Sequence, residues 1–421
     1  MKTLLESVYG LAWKLAIPLL SRHHRLREGL DERTLRSGLP ARARVWIQAA
    51  SAGEAFLAWE VLRRLRAPAG GLSVLCTTNT SQGLGVLRQA AASPDLDPGL
   101  SVQTRYFPFD APRLMEQAVA AAAPDVAVLL ESELWPGFMA ACRRQGTRVL
   151  LANGRMTAKS LAGYRRFPGA AKLLAPDFVL AMSPEDARRF EKLFGRERVG
   201  LMPNIKFDRL ARSAAPGGDN PLAGLLAPDT DFVVLGSVRR QEEGAVAGVL
   251  AGLLDRAPGT VVGLFPRHMD RVEPWIRRLA RTGVPCVRRS SLNAPAAPGT
   301  VLLWDVFGEL GRAYGLARAA FVGGSLKPLG GQNFLEPLGL GTPTVTGPHW
   351  DNFAWVGRAI LDLGPLREAR DGDGVLEALL VFLARPPDRA AVRRAVLDYA
   401  ASRTGGAAAV CGRIAQWLEN G

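Results

Sequence analysis

Cysteine is scarce in this chain. Four residues (Cys76, Cys142, Cys286 and Cys411) are spread over 421 positions. No CxxC pair occurs, so neither the spacing of a zinc site nor a disulfide framework is present, and isolated thiols of this kind fit a reducing compartment. Histidine is as rare, at four residues, and there is no HExxH. A GxxxxGK loop is missing, and no GxGxxG is followed by an acid about 20 residues on. A P-loop nucleotidase, a dehydrogenase of the usual pattern and a zinc hydrolase are therefore disfavoured; the stretch GLGVLR at Gly83 matches a dinucleotide turn only in part. Aromatics make up 7% and no DNA- or RNA-binding signature appears, which leaves nucleic acid as the weakest choice of partner. No long apolar run is found at the N-terminus: Val8 to Leu20 is interrupted by Lys14 and Pro18, falls short of the about 20 residues of a bilayer span, and lacks the small-residue site of a cleaved signal.

Acidic residues are in deficit as well. Lys and Arg number 53 against 39 Asp and Glu, a net charge of +14. An anionic membrane surface or phosphorylated substrates would each suit that excess, although an arginine bias in a chain rich in Ala, Gly, Leu and Pro also arises from base composition alone. The N-terminal apolar run contains Trp13 and is followed by the arginine-rich SRHHRLREGLDERTLR. That order reads as a segment lying in a membrane interface; a helix packed on its own domain is the alternative.

What is present, from residue 45 on, is alternation. Short apolar runs read as buried parallel strands at Val45–Gln48, Val74–Thr77, Val126–Leu130, Val149–Ala152 and Phe178–Ala181. After a Pro-, Gly-, Ala- and Ser-rich stretch the pattern resumes at Phe232–Leu235, Val261–Phe265, Val301–Trp304, Ala319–Val322 and Thr344–Val345. Periodic segments between them read as helices. The chain is thus expected to be α/β, with an N-terminal segment (1–44), a first Rossmann-like domain (45–210), a linker (211–224), a second Rossmann-like domain (225–388) and a helical C-terminal segment (389–421) that packs back.

Ligands of open α/β sheets bind beyond the carboxyl ends of the strands. The residues there are small, polar or charged throughout: Ala50-Ser51-Ala52-Gly53-Glu54, Thr77 to Ser81 with Thr78 and Thr80, Glu131-Ser132-Glu133, Asn153-Gly154-Arg155, then Gly236-Ser237, Pro266-Arg267-His268, Gly323-Gly324-Ser325 and Gly347-Pro348-His349. All are expected to face one interdomain cleft. Glu54 reads as a general base on a turn stripped of bulk, or as an acid favoured by a helix dipole. In ESELWPGF, Glu131 and Glu133 are expected to point the same way, ahead of a Pro136 that opens a helix. Lys206, in PNIKFD, and Arg267 suit phosphate or carboxylate. The segment GGSLKPLGGQNFLEP offers backbone amides of Gly323, Gly324 and Ser325 to an anion, a second turn at Gly330-Gly331, and Asn333 with Glu336 at the spacing of a capping box. A helix start binding phosphate there, with Glu336 on a nucleotide ribose, is the functional alternative.

The motifs SAGE, TTNTSQG, ESELWP, ANGRMTAKS, PNIKFD, FPRH, GGSLKPLGGQNFLEP and GPHWDNF, in that order between about residues 45 and 356, resemble those of bacterial 3-deoxy-D-manno-octulosonic acid (Kdo) transferases. The resemblance implies a GT-B glycosyltransferase that moves Kdo from CMP-Kdo to the 6′-hydroxyl of a tetra-acylated lipid A precursor. It implies inversion, no metal and no cofactor beyond the donor substrate, at the cytoplasmic face of the inner membrane. It places Glu54 as the base, Glu133 and Lys206 as further catalytic or acceptor-side groups, and Arg267, Gly324, Ser325, Asn333 and Glu336 on the nucleotide-sugar side. Two stretches depart from the family's pattern. Gln332 stands where GGHN is common, and GSVRRQEEG replaces a STHxGEE-like stretch, so that Val238-Arg239 takes the place of Thr-His. The competing expectations are a GT-B enzyme using a UDP-sugar, such as a lipid A disaccharide synthase or a sugar-nucleotide epimerase, and a non-catalytic basic binding protein.

Overall fold

A computed structural model describes residues 4–22, 24–166, 169, 173–212 and 220–420. Two compact units are present: Met1–Arg209 with Arg403–Gly421, and Leu210–Ser402. Residues 213–219, the middle of the expected linker, lie outside the described residues.

The first unit is built on a seven-stranded parallel sheet of β1 (Val45–Ala49), β2 (Leu72–Thr78), β3 (Leu100–Tyr106), β4 (Val126–Leu130), β5 (Arg148–Gly154), β6 (Phe178–Ala181) and β7 (Val199–Leu201), in the order β3-β2-β1-β4-β5-β6-β7. Both faces are covered, and this is why the strands read as unbroken apolar runs. Val45, Ile47 and Ala49 enter the core shared with the helices Ala52–Arg64 and Gly406–Glu419, whereas Trp46, between them, enters the opposite core with Met115 and Phe138. This alternation follows from the two-residue period of a strand. Each large aliphatic side chain buried completely in such a layer contributes about 1.5–3 kcal/mol. Polar atoms within the sheet are paired: Trp46 Nε1 donates to Thr77 Oγ1 at 2.7 Å and Thr77 Oγ1 donates to Gln48 Oε1 at 2.6 Å.

The second unit repeats the plan with β8 (Phe232–Val238), β9 (Val261–Pro266), β10 (Cys286–Arg288), β11 (Val301–Leu303), β12 (Ala319–Val322), β13 (Thr344–Thr346) and β14 (Leu366–Glu368), ordered β10-β11-β9-β8-β12-β13-β14. In each sheet the strand order reverses at one place, between β1 and β4 and between β8 and β12. Open α/β sheets bind ligands at such switch points.

Two expectations about segments change. The N-terminal helix Leu4–Leu20 is part of the first unit, not a separate segment: Trp13 packs on Phe109 with ring centroids 5.7 Å apart, and Tyr9 Oη donates to Asp110 at 2.8 Å. Its other side carries Val8, Leu11, Leu15 and Leu19, each 59–67% exposed. The C-terminal stretch is not one segment. The helix Arg389–Ala401 belongs to the second unit and Gly406–Glu419 to the first. The latter is fastened by Asp208, whose carboxylate accepts the Gly405 and Gly406 amides at 3.1 Å each.

Candidate active site

In the first unit, the turn from β1 into the helix Ala52–Arg64 begins with Ser51, whose hydroxyl caps the helix by accepting the Glu54 amide at 3.3 Å. The Glu54 carboxylate folds back over the same turn. Oε2 accepts the Ala50 amide at 2.5 Å and Oε1 accepts the Ser51 hydroxyl at 3.2 Å. The side chain keeps only 9% of its surface. Burial, then the negative charge of Glu133 and more weakly that of Glu131, push its pKa up to about 7, against the lowering effect of the Ala50 and Ser51 hydrogen bonds. A Cβ placed on Gly53 would meet nothing closer than Ser51 Oγ at 3.6 Å. Packing does not demand glycine there; its bareness leaves the approach to the carboxylate open.

The loop after β4, across the switch point, supplies the neighbouring acids. Glu131 adopts φ 61°, which a side chain seldom takes, so Glu131 and Glu133 do not share a regular extended segment as expected. Glu131 Oε1 accepts Lys206 Nζ at 2.7 Å, and both side chains are about one-third exposed. Lys206 thus meets a carboxylate, one supplied by its own unit. Burial, and then the charge of Glu131, raise the Glu133 pKa above the usual carboxylate range. The loops after β4 and β5 are tied together, since Ser132 Oγ donates to the Arg155 carbonyl, while the Arg155 side chain is exposed.

Of three residues expected to touch substrate, two are taken up by the scaffold and the third is buried. Asn153, at φ 55°, has no exposed surface; its Oδ1 accepts the Ile205 amide at 3.1 Å and so fixes the PNIKFD turn. Thr78 is completely buried. Thr80 caps the helix Ser81–Ala91 by accepting the Gly83 amide. Sequence reading missed Asp110. Its carboxylate, 1% exposed, accepts the Gly137 and Phe138 amides at 2.8 and 2.7 Å and caps the helix Pro136–Gln145 from outside. Burial raises its pKa to about 6. A helix opened by Pro136 with no capping side chain of its own was the available signal.

The second unit corrects the reading of the glycine-rich loop. The amides of Gly324, Ser325 and Leu326 do converge on an anion, but the anion is Glu242, with contacts of 2.6, 2.8 and 2.7 Å. The Arg239 amide adds a fourth bond at 3.2 Å. At 1% exposure Glu242 is sealed in, so these amides are not available to a ligand. Ser325 is likewise consumed: its hydroxyl donates to the Val322 carbonyl and accepts the Gly347 amide. Gly331, at φ 76°, exists for close packing, since a Cβ would fall 2.8 Å from the Trp350 Cα. The Asn333–Glu336 capping box does not form. Asn333 Oδ1 accepts the Leu335 amide at 3.2 Å, and the helix Leu335–Gly339 has five residues. Gly323 lies beside the Glu242 carboxylate, and Glu336 is exposed. Ser237 adopts φ 56°. Arg267 and His268, at the end of β9, are both exposed. Among the described residues no group of three or more His, Cys, Asp and Glu has the arrangement of a metal site.

Two seven-stranded parallel sheets, each with its polar loops at a switch point, define the GT-B class. A glycosyltransferase from Rickettsia africae has the same fold at a TM-score of 0.58, with 9% identity over 90% of this chain and all of that one. The UDP-GlcNAc 2-epimerase of Neisseria meningitidis matches at 0.55, with 12% identity over 90% of this chain and all of that one. Within that class, residues 24–209 match the family model of 3-deoxy-D-manno-octulosonic-acid transferase (kdotransferase). The 3-deoxy-D-manno-octulosonic acid transferase of Bordetella pertussis is 31% identical over 389 residues, 91% of this chain and 89% of that protein. That of Haemophilus influenzae is 27% identical, over 79% and 77% respectively. The chain belongs to the Kdo transferase family and is a glycosyltransferase.

Proposed function

We propose that the protein transfers Kdo from CMP-Kdo to the 6′-hydroxyl of a tetra-acylated lipid A precursor, with inversion and without a metal ion. The observation that carries this reading is the state of Glu54. It is a nearly buried carboxylate at a switch point, beside an unobstructed glycine, with a pKa of about 7. A base works best with a pKa near the working pH. In this mechanism Glu54 accepts the proton of the acceptor hydroxyl while that oxygen bonds to the anomeric carbon of Kdo. The bond from that carbon to the phosphate oxygen breaks, and CMP leaves with the electron pair. The Arg267 guanidinium offsets the charge that gathers on the phosphate. Lys206, paired with Glu131, holds the acceptor side in place. Transfer should rise through pH about 7 and level off above it, as Glu54 loses its proton.

Mass spectrometry of the lipid formed from CMP-Kdo and the tetra-acylated precursor tests the reading. The native protein should add Kdo, and Glu54→Gln should slow transfer by about 10²–10⁴-fold, the usual worth of a general base, while still binding CMP. Product formed at the native rate by the variant removes Glu54 from this role.

The lipid acceptor also suits the N-terminal helix. Among the described residues no helix is long and apolar enough to cross a membrane. We place Val8, Leu11, Leu15 and Leu19 in the outer layer of an anionic inner-membrane surface on the cytoplasmic side, with Arg22 and Arg27 near lipid phosphates. Flotation with phosphatidylglycerol vesicles should weaken several-fold in Leu11→Asn/Leu15→Asn; unchanged flotation argues against it.

A further inference from the structure

Two arginines stand side by side at the end of the second sheet with no carboxylate to pair them. Val238 of β8 is in register with Pro266 of β9, and the Arg267 amide donates to the Val238 carbonyl at 2.8 Å. Arg239 and Arg267 are therefore the next residues on adjacent strands. Among the described residues neither guanidinium has an ion-pair or hydrogen-bond partner. Their neighbours do: Arg271 makes a two-pronged pair with Glu243 at 2.8 and 2.9 Å, and Arg289 another with Glu309. The acid nearest Arg239 in sequence, Glu242, is turned inward onto the amides of Gly324 to Leu326, and Asp270, three residues after Arg267, is exposed. Two guanidinium groups thus stand together at the carboxyl ends of β8 and β9, next to the switch point.

Gln332 joins the pair. A Cβ built on Gly324 would lie 3.0 Å from Gln332 Cγ, 3.2 Å from Gln332 Nε2 and 3.6 Å from Arg239 Cγ. The carboxamide and the arginine stem therefore flank the same bare glycine. The two departures from the family's motifs, Val238-Arg239 and Gln332, are about 90 positions apart in the sequence and meet at this one point. An uncharged amide stands at one position, and a permanently charged fork stands at the other.

We infer that Arg239, assisted by Gln332, is a ligand for an oxyanion of the donor and completes with Arg267 the charge that the sealed glycine-rich loop does not offer. The ligand chemistry is a tetrahedral phosphate or planar carboxylate, either of which a guanidinium grips with two parallel hydrogen bonds. The inference rests on the donor reading under Proposed function, because CMP-Kdo carries one group of each kind.

Calorimetric titration of CMP into the full-length protein, together with KM for CMP-Kdo, tests it. Arg239→Ala should weaken CMP binding about tenfold or more, the scale of one charge-assisted hydrogen bond, with an unchanged melting temperature because the guanidinium supports nothing else. Arg239→Lys should recover part of the loss, and Gln332→Ala should show a smaller one. Arg256→Ala, which removes the same charge from a distant exposed pair with Glu377, should bind CMP as the native protein does. A loss with CMP assigns the phosphate; a native CMP affinity with a raised KM for CMP-Kdo assigns the sugar carboxylate. Native values in both for Arg239→Ala and Gln332→Ala overturn the inference. A native protein that neither binds CMP nor uses CMP-Kdo overturns the donor reading beneath it, a distinguishable result.

Discussion

Glu54 and Glu242 occupy equivalent places in the two units. Each follows the first strand of its sheet, opens the helical segment after it, and sits at the switch point. Their environments differ. Glu242 receives four backbone amides and is 1% exposed. Glu54 receives one amide and one hydroxyl, keeps 9% exposure and faces two other acids. A carboxylate saturated with fixed donors is a structural anion that shapes a loop. At Glu54 burial first, and then the charge of Glu133, raise the pKa, and the two donors it has only partly oppose them. The same residue type is thus a strut in one unit and, in the other, a carboxylate held part-way out of its usual range by burial and acidic neighbours.

Three measurements put this contrast to the test. The largest effect is expected from Glu242→Ala. Three buried amides would lose their acceptor at 1–3 kcal/mol each, so urea unfolding of the second unit's transition should show a loss on the order of 5 kcal/mol. A change below about 1 kcal/mol would mean that Glu242 is not a strut.

Next is the stability of Glu54→Gln as a function of pH. A carboxyl group whose pKa is raised from 4.5 to about 7 by folding favours the folded state while protonated. The native protein loses that contribution, roughly 3 kcal/mol, as pH climbs from about 4.5 to about 7, and nothing further above it. The variant does not titrate there. Its stability relative to native should therefore increase by about that amount between pH 4.5 and 7.5; a flat difference contradicts the raised pKa.

The smallest effect is expected from Ser51→Ala. Loss of the cap should cost about 1 kcal/mol. Loss of the hydroxyl that Glu54 accepts should move the acidic limb of the pH–rate profile upward by a fraction of a unit. A downward move would contradict the assigned hydrogen bond.

Much of the architecture was legible because buried parallel strands are continuous apolar runs. The four strands not recognised, Leu100–Tyr106, Val199–Leu201, Cys286–Arg288 and Leu366–Glu368, are the four sheet edges. Edges are half exposed and mix polar with apolar residues, and three of these have only three residues, too few for a period to register. In the site, Glu54 stood out because its local sequence is unusual. Asp110 did not, because its partners Gly137 and Phe138 are 27 and 28 residues away. The glycine-rich loop misled for the same reason: its amides were correctly seen as an anion trap, but the anion comes from 82 residues earlier.

The alternation of strands and helices, the small and charged residues at strand ends, and the ordered motifs that point to the family can all be read along the chain. These depend on periods of two and 3.6 residues and on spacing, which are local. Which acid is sealed, which arginines are paired and which face of the N-terminal helix is covered emerge only when the chain is folded. Those outcomes depend on groups brought together from distant parts of the chain: Glu242 is sealed by amides 82 to 84 residues away, and the charge of Glu133 acts on Glu54.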